Sequence, residues 1–210
     1  MRQLTTIFLF ILSLLIVSGQ PSFCAVKGGI EYSIPVDYSK LSETEILERA
    51  KVYYHNAEQV KDGVVNEDVT NALFTYSVLQ NISPENIEYS IKLGKLYEKI
   101  GKDRYAKGNY ARAIGINSSR PEGYFCYGEY YYKKQQYRKA LKYYTEAYKK
   151  GYQTNYDTLY KLGDIYEKLG DTRSALKYLQ EASVQSPNGE LDNKIKQVEN
   201  QNEINKAYYK

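Results

Sequence analysis

The chain has 210 residues, 42% hydrophobic and 26% charged, with 5 prolines and a net charge of +4. This excludes a disordered chain and a bundle of membrane spans, and a charge spread so thinly lacks the concentrated basic stripe that nucleic acid demands. Two cysteines and one histidine, set far apart, make neither a disulfide framework nor a convincing zinc site, which leaves one oddity: 25 tyrosines and no tryptophan.

Residues 1–25 have the build of a secretory signal peptide. Arg2 supplies a positive start, and Ile7 to Val17 is apolar apart from Ser13. That eleven-residue core is shorter than the roughly 20 apolar residues a bilayer-spanning helix needs. Cleavage fits after Gly19 or near Cys24 and Ala25. A retained anchor and a lipidated Cys24 are the alternatives, although Phe23 suits a lipoprotein site poorly. Residues 26–41 read as a linker, punctuated by Gly28-Gly29 and Ile34-Pro35.

From Ser42 onward the spacing of apolar residues is helical. A first helix runs from about Ser42 to Val60 on Ile46, Leu47, Ala50, Tyr53, Tyr54 and Ala57, followed by a turn over Lys61–Asp68. Beyond it an internal repeat takes over. Ala72, Ala106 and Ala140 lie 34 residues apart, as do Tyr76, Tyr110 and Tyr144, and Tyr97 and Tyr131. A further step of 35 carries Gly128 to Gly163, Tyr131 to Tyr166, Ala140 to Ala175 and Ala147 to Ala182. Each unit reads as two helices joined by a tight turn. Gly94, Gly128 and Gly163 are expected to face Ala106, Ala140 and Ala175 where the paired helices approach closely. Gly101 and Gly170 suit a left-handed turn after the first helix, Asp171 suits an N-cap, and Pro84 and Pro187 close second helices.

These columns and their period resemble the tetratricopeptide repeat (TPR) family. The resemblance implies an all-α, right-handed solenoid of antiparallel helix pairs. Its units span 87–120, 121–154 and 156–189, preceded by a degenerate, TPR-like pair over 42–86. Residues 190–210 carry Leu191, Ile195, Val198, Asn202 and Asn205 on one face and read as a C-terminal capping helix, which a solenoid end requires. Gly108 and Asn109, inside the second helix of 87–120, suggest a softer unit.

About half of the tyrosines fall at positions that such repeats bury. No nucleophile elbow, zincin motif or phosphate loop is present, His55 has no evident orienting partner, and Cys126 reads as a small buried hydrophobe. The pair Glu129 and Asp164 reads as solvated charge. The expected function is therefore a non-catalytic protein-interaction scaffold without cofactors, exported to the cell envelope or secreted, with an unidentified protein or peptide segment as partner and no nucleic acid. Membrane association is expected only if the N-terminal segment is retained or Cys24 is lipidated. By the resemblance, the concave face collects Ile91, Lys95, Glu98, Phe125, Glu129, Tyr132, Tyr160, Asp164 and Glu167, with Lys99, Lys133 and Lys168 at its margin. Such a strip suits an extended or helical segment with apolar anchors and some basic character. An alternative is a glycan or envelope-polymer module stacking sugars on Phe125, Tyr132 and Tyr160.

The signal reading predicts that the exported product begins near Val26. Intact-mass measurement of the periplasmic or secreted protein checks this, and a soluble cytoplasmic chain that starts at Met1 would contradict it.

Overall fold

The computed structural model describes residues 37–208, so the signal segment, Cys24 and most of the 26–41 linker lie outside the described residues. Among these residues the chain forms a short 3-10 turn, Tyr38–Lys40, and nine α-helices, with no strand. The helices are α1 (Glu43–Gln59), α2 (Glu67–Ile82), α3 (Ile87–Lys99), α4 (Asp103–Ile116), α5 (Pro121–Lys133), α6 (Tyr137–Lys149), α7 (Tyr156–Lys168), α8 (Thr172–Gln185) and α9 (Gly189–Tyr208). Each odd-numbered helix from α1 to α7 pairs with the next, each pair stacks on its successor, and α9 packs on α8. The first helices α3 and α5 also touch directly, whereas no two second helices share a comparable contact. First helices therefore line the inside of the curve and second helices the outside.

Local chemistry sets the helix ends. Ser42 and Glu45 form a reciprocal capping box before α1, and the side chains of Asn66, Asn86, Asn155 and Asp171 accept from backbone amides at the starts of α2, α3, α7 and α8. Because Asn66 is a cap, α2 begins at Glu67 and the turn after α1 is slightly shorter than the spacing predicts. Gly101 and Gly170 adopt φ of +71° and +85°, the left-handed turn expected of them, while Gln135 takes the same role in the middle repeat at φ +56°.

The core runs the length of the stack. Tyr76, Tyr110 and Tyr144 are only 2%, 1% and 0% exposed, at one position in three successive second helices. In the middle repeat Tyr127, Tyr131 and Tyr143 form a ring cluster with centroids 4.3–5.5 Å apart. At the far end Leu191 and Val198 of α9 bury themselves against Leu159, Ala175 and Leu179, and Asn202 accepts the Thr172 hydroxyl at 3.0 Å. Thus α9 closes the apolar edge of the last pair; the Asn205 side chain lies outside the described residues.

The close approach within each pair differs from the expected glycine–alanine contact. A methyl group on Gly94 would lie 2.7 Å from the Tyr110 ring, one on Gly128 3.1 Å from the Tyr144 ring, and one on Gly163 2.6 Å from Leu179 Cγ. The glycine is a notch for the large residue one turn beyond the alanine. The alanines Ala106, Ala140 and Ala175 are fully buried, but they are not what the notch receives.

Two glycine substitutions should consequently differ in sign. Gly163→Ala overpacks the crossing, where Leu179 backbone nitrogen also lies within 3.2 Å, and should cost about 1–3 kcal/mol. Gly108→Ala, at a helical site with nothing within 4 Å, should stabilise by ~0.5–1 kcal/mol through the unfolded chain. Thermal or urea midpoints of the two variants check the contrast.

Candidate functional site

The inner face is built by α3, α5 and α7, and the predicted residues do not share one environment there. Ile91 is only 8% exposed and belongs to the core cluster with Tyr127 and Tyr130, so it offers a partner little surface. Lys95 is exposed and makes no ion pair among the described residues. Phe125 is half-buried, with its ring edge-on to Tyr144 and Tyr152 at 5.6 and 5.8 Å. Tyr132 and Tyr160 are likewise half-buried.

The carboxylates are engaged rather than solvated, which corrects the sequence expectation. Glu98 accepts the Tyr110 hydroxyl at 2.7 Å and the Lys133 ammonium at 2.9 Å. Glu129 accepts the Tyr144 hydroxyl. Asp164 is 5% exposed, and accepts the Tyr132 hydroxyl at 2.6 Å and Lys194 at 2.9 Å, with Lys168 at 3.3 Å. Lys194 also reaches Glu167 at 2.6 Å. Lys99 pairs with Asp62 at 3.0 Å, tying α3 to the turn after α1.

The electrostatics reflect these contacts. Burial works against the charge on Asp164, yet the hydrogen bonds from Tyr132 and Lys194 hold its carboxyl below the ordinary aspartate value. Lys194 is its mirror image: burial opposes its charge, and Glu167 and Asp164 raise it above the usual lysine range. The Tyr110 and Tyr144 hydroxyls are pushed strongly upward by burial first and by their carboxylate partners second, so both remain neutral donors. Burial also raises the Cys126 thiol, which removes it as a nucleophile at neutral pH.

The structure therefore brings Tyr132, Asp164 and Glu167 together with one residue that sequence reasoning missed, Lys194 of the end helix. It lies 5.8 Å from the Tyr160 ring centre as well. The available signal was its place between Leu191 and Ile195, on the side of α9 that faces the last repeat. Lys161 is a second such residue, with its ammonium 4.0 Å from the Tyr132 ring centre.

A stack of helix pairs that presents half-buried rings and exposed lysines along the inner helices is a helical-repeat solenoid. Residues 121–151 and 157–189 each match a tetratricopeptide repeat model, so these two units of the chain are tetratricopeptide repeats. Among solved structures it is similar to MamA, at 20% identity over 69% of this chain and 73% of that one, with a TM-score of 0.56. It is also similar to PilW, described as a widely conserved type IV pilus biogenesis factor, at 17% identity over 69% of this chain and 62% of that one, with a TM-score of 0.57. At these identities the likeness is one of fold. No curated protein matches the chain in sequence.

Asp164 should make stability depend on pH. Its folded-state value lies below the 3.8 of an ordinary aspartate, so the unfolded chain takes up the proton first as pH falls. The contribution is complete above the carboxylate range and is lost as pH drops below 3.8. Asp164→Asn should cost about 1–3 kcal/mol at neutral pH, by weakening bonds to Tyr132 and Lys194. The gap to wild type should close in acid, as thermal midpoints across pH would show.

Proposed function

We propose that the chain is a non-catalytic scaffold that binds a protein segment along the inner face of its solenoid. The observation that carries this reading is the state of that face. Its carboxylates Glu98, Glu129, Asp164 and Glu167 are already satisfied by the chain's own tyrosines and lysines, while Phe125, Tyr132 and Tyr160 keep part of each ring open. Such a surface needs no charge from a partner to become complete. It gains by covering its rings with apolar side chains. Near Ile91, Lys95 stands exposed without an ion pair among the described residues, while Lys92 lies 3.9 Å from the Tyr54 ring centre, which favours a segment that offers a carbonyl or carboxylate oxygen to Lys95. Basic character in the partner is thus no longer required by the inner carboxylates.

A sugar-stacking role is less well supported. Lys161 covers one side of Tyr132, and Tyr160 stacks on Tyr156 with centroids 6.0 Å apart, so neither ring has two free sides. A catalytic role gains nothing from His55, exposed on α1, or from the buried Cys126. The further reading of export rests on residues 1–25 alone; among the described residues no helix is long and apolar enough to cross a membrane.

Once a partner is recovered by pull-down with the mature chain, single alanine substitutions at Phe125 and Tyr160 should each weaken binding by ~1–2 kcal/mol. Binding measured by calorimetry, with the helical fold checked by circular dichroism, decides the matter. Unchanged affinity of the Phe125→Ala, Tyr160→Ala double variant would overturn the assignment of this face.

A further inference from the structure

The net charge looks thin along the sequence, but the fold sorts it. Between residues 87 and 150 there are fifteen basic and six acidic side chains, a local charge of +9. Much of this excess stands on the outer helices. In α4, α6 and α8 the inward side is set by the buried trios Ala106, Tyr110, Ala113; Ala140, Tyr144, Ala147; and Ala175, Leu179, Ala182. The residue two places before the first alanine lies on the opposite side of the helix, and it is arginine every time: Arg104, Arg138 and Arg173. Two places after that alanine, the outward position holds Lys142 in α6 and Lys177 in α8. Further along α6 Lys149 faces the same way. All six are exposed, and among the described residues only Lys149 has an ion pair, with Glu146 at 3.0 Å.

We propose that this outer strip is a second docking surface, separate from the inner face, and that its occupant is an acidic protein segment, an extended run of aspartate and glutamate laid across the three outer helices. An uncompensated cationic row repeated from helix to helix is electrostatically complementary to a linear polyanion. The strip is narrow. Glu146 and Glu181 stand along one edge of it, where a flat anionic bilayer would meet carboxylates as well as bases. It also offers nucleobases little to stack on: Tyr105, exposed beside Arg104, is already stacked on Tyr97 with centroids 5.2 Å apart. The rings beside it, Tyr143 and Tyr178, are packed into the core and covered by Lys142 and Lys177 at 5.9 and 5.2 Å. A polypeptide needs neither a plane nor a ring, only carboxylates that can track the arginines.

The test uses the mature chain and a fluorescent poly-glutamate peptide long enough to cross three helices, with anisotropy as the readout. Binding is expected at low ionic strength and should fade as salt rises. Arg138→Glu with Arg173→Glu should weaken it about ten-fold or more, and the corresponding glutamine pair less so, as loss of charge and reversal of charge differ. Phe125→Ala, on the inner face, should leave peptide binding unchanged, which separates failure of this surface from failure of the inner one. Absence of peptide binding, or equal binding by the charge-reversed variant with its thermal midpoint intact, would overturn the proposal. So would preference for phosphatidylglycerol vesicles or a single-stranded oligonucleotide over the peptide. A salt-sensitive self-association without peptide would overturn it too, since the acidic helices α1 and α2 of a second copy would then be the occupant.

Discussion

The notch between a glycine on each of α3, α5 and α7 and a large side chain on the partner helix shapes both the core and the inner surface of this protein. Gly94 and Gly128 have no side chain to hold the partner helix away, so the rings of Tyr110 and Tyr144 pass across the crossing at contact distance. Their hydroxyls emerge on the far side and donate to Glu98 and Glu129 on the inner face. One packing constraint thus joins the core to the inner face. It also neutralises the polar end of each buried ring, since a hydroxyl without a partner there would be costly.

The last repeat shows what happens when one element of that arrangement changes. Leu179 replaces the tyrosine against Gly163, and a leucine has no hydroxyl to offer Asp164. Asp164 instead draws Tyr132 from the preceding repeat and Lys194 from α9. The exchange ties α5, α7 and α9 together through one buried carboxylate. It also gives the end helix a polar anchor in addition to the apolar contacts of Leu191 and Val198. A cap held by both kinds of contact is fixed in register, because an apolar face alone can slide while an ion pair cannot.

Curvature then separates two faces of different character. On the inside the carboxylates are held by neighbouring tyrosines and lysines, from the first helices, the second helices and α9, while the rings stay partly open. The second helices α4, α6 and α8, spread apart on the outside, do not reach one another, and of their outward arginines and lysines only Lys149 has an ion pair among the described residues. The same +4 chain therefore presents a largely self-neutralised inner surface and a cationic outer one.

The architecture was legible because repeat columns record burial directly. Ala72, Ala106, Ala140 and Ala175, with the tyrosines four residues after the first three, mark the inward side of each second helix, and helical periodicity carries that information without any coordinates. The helix ends were legible for a similar reason, since caps and left-handed turns depend on neighbours in sequence. Contacts between helices were not. The period shows that Gly128 repeats as Gly163, but not that each receives a side chain one turn beyond the expected alanine. The family resemblance marks Ile91 and Asp164 as inner-face positions, yet only the stacking of α3 against α5 buries the first, and only α9 brings Lys194 to the second. Those outcomes depend on residues about 30 apart meeting across helices, and on which charges the curvature brings within reach of one another. Sequence alone determined the helices and their inward sides, because both are local; the pairing of charges and the character of the two faces were decided in three dimensions, because electrostatic and packing partners are chosen by distance in space.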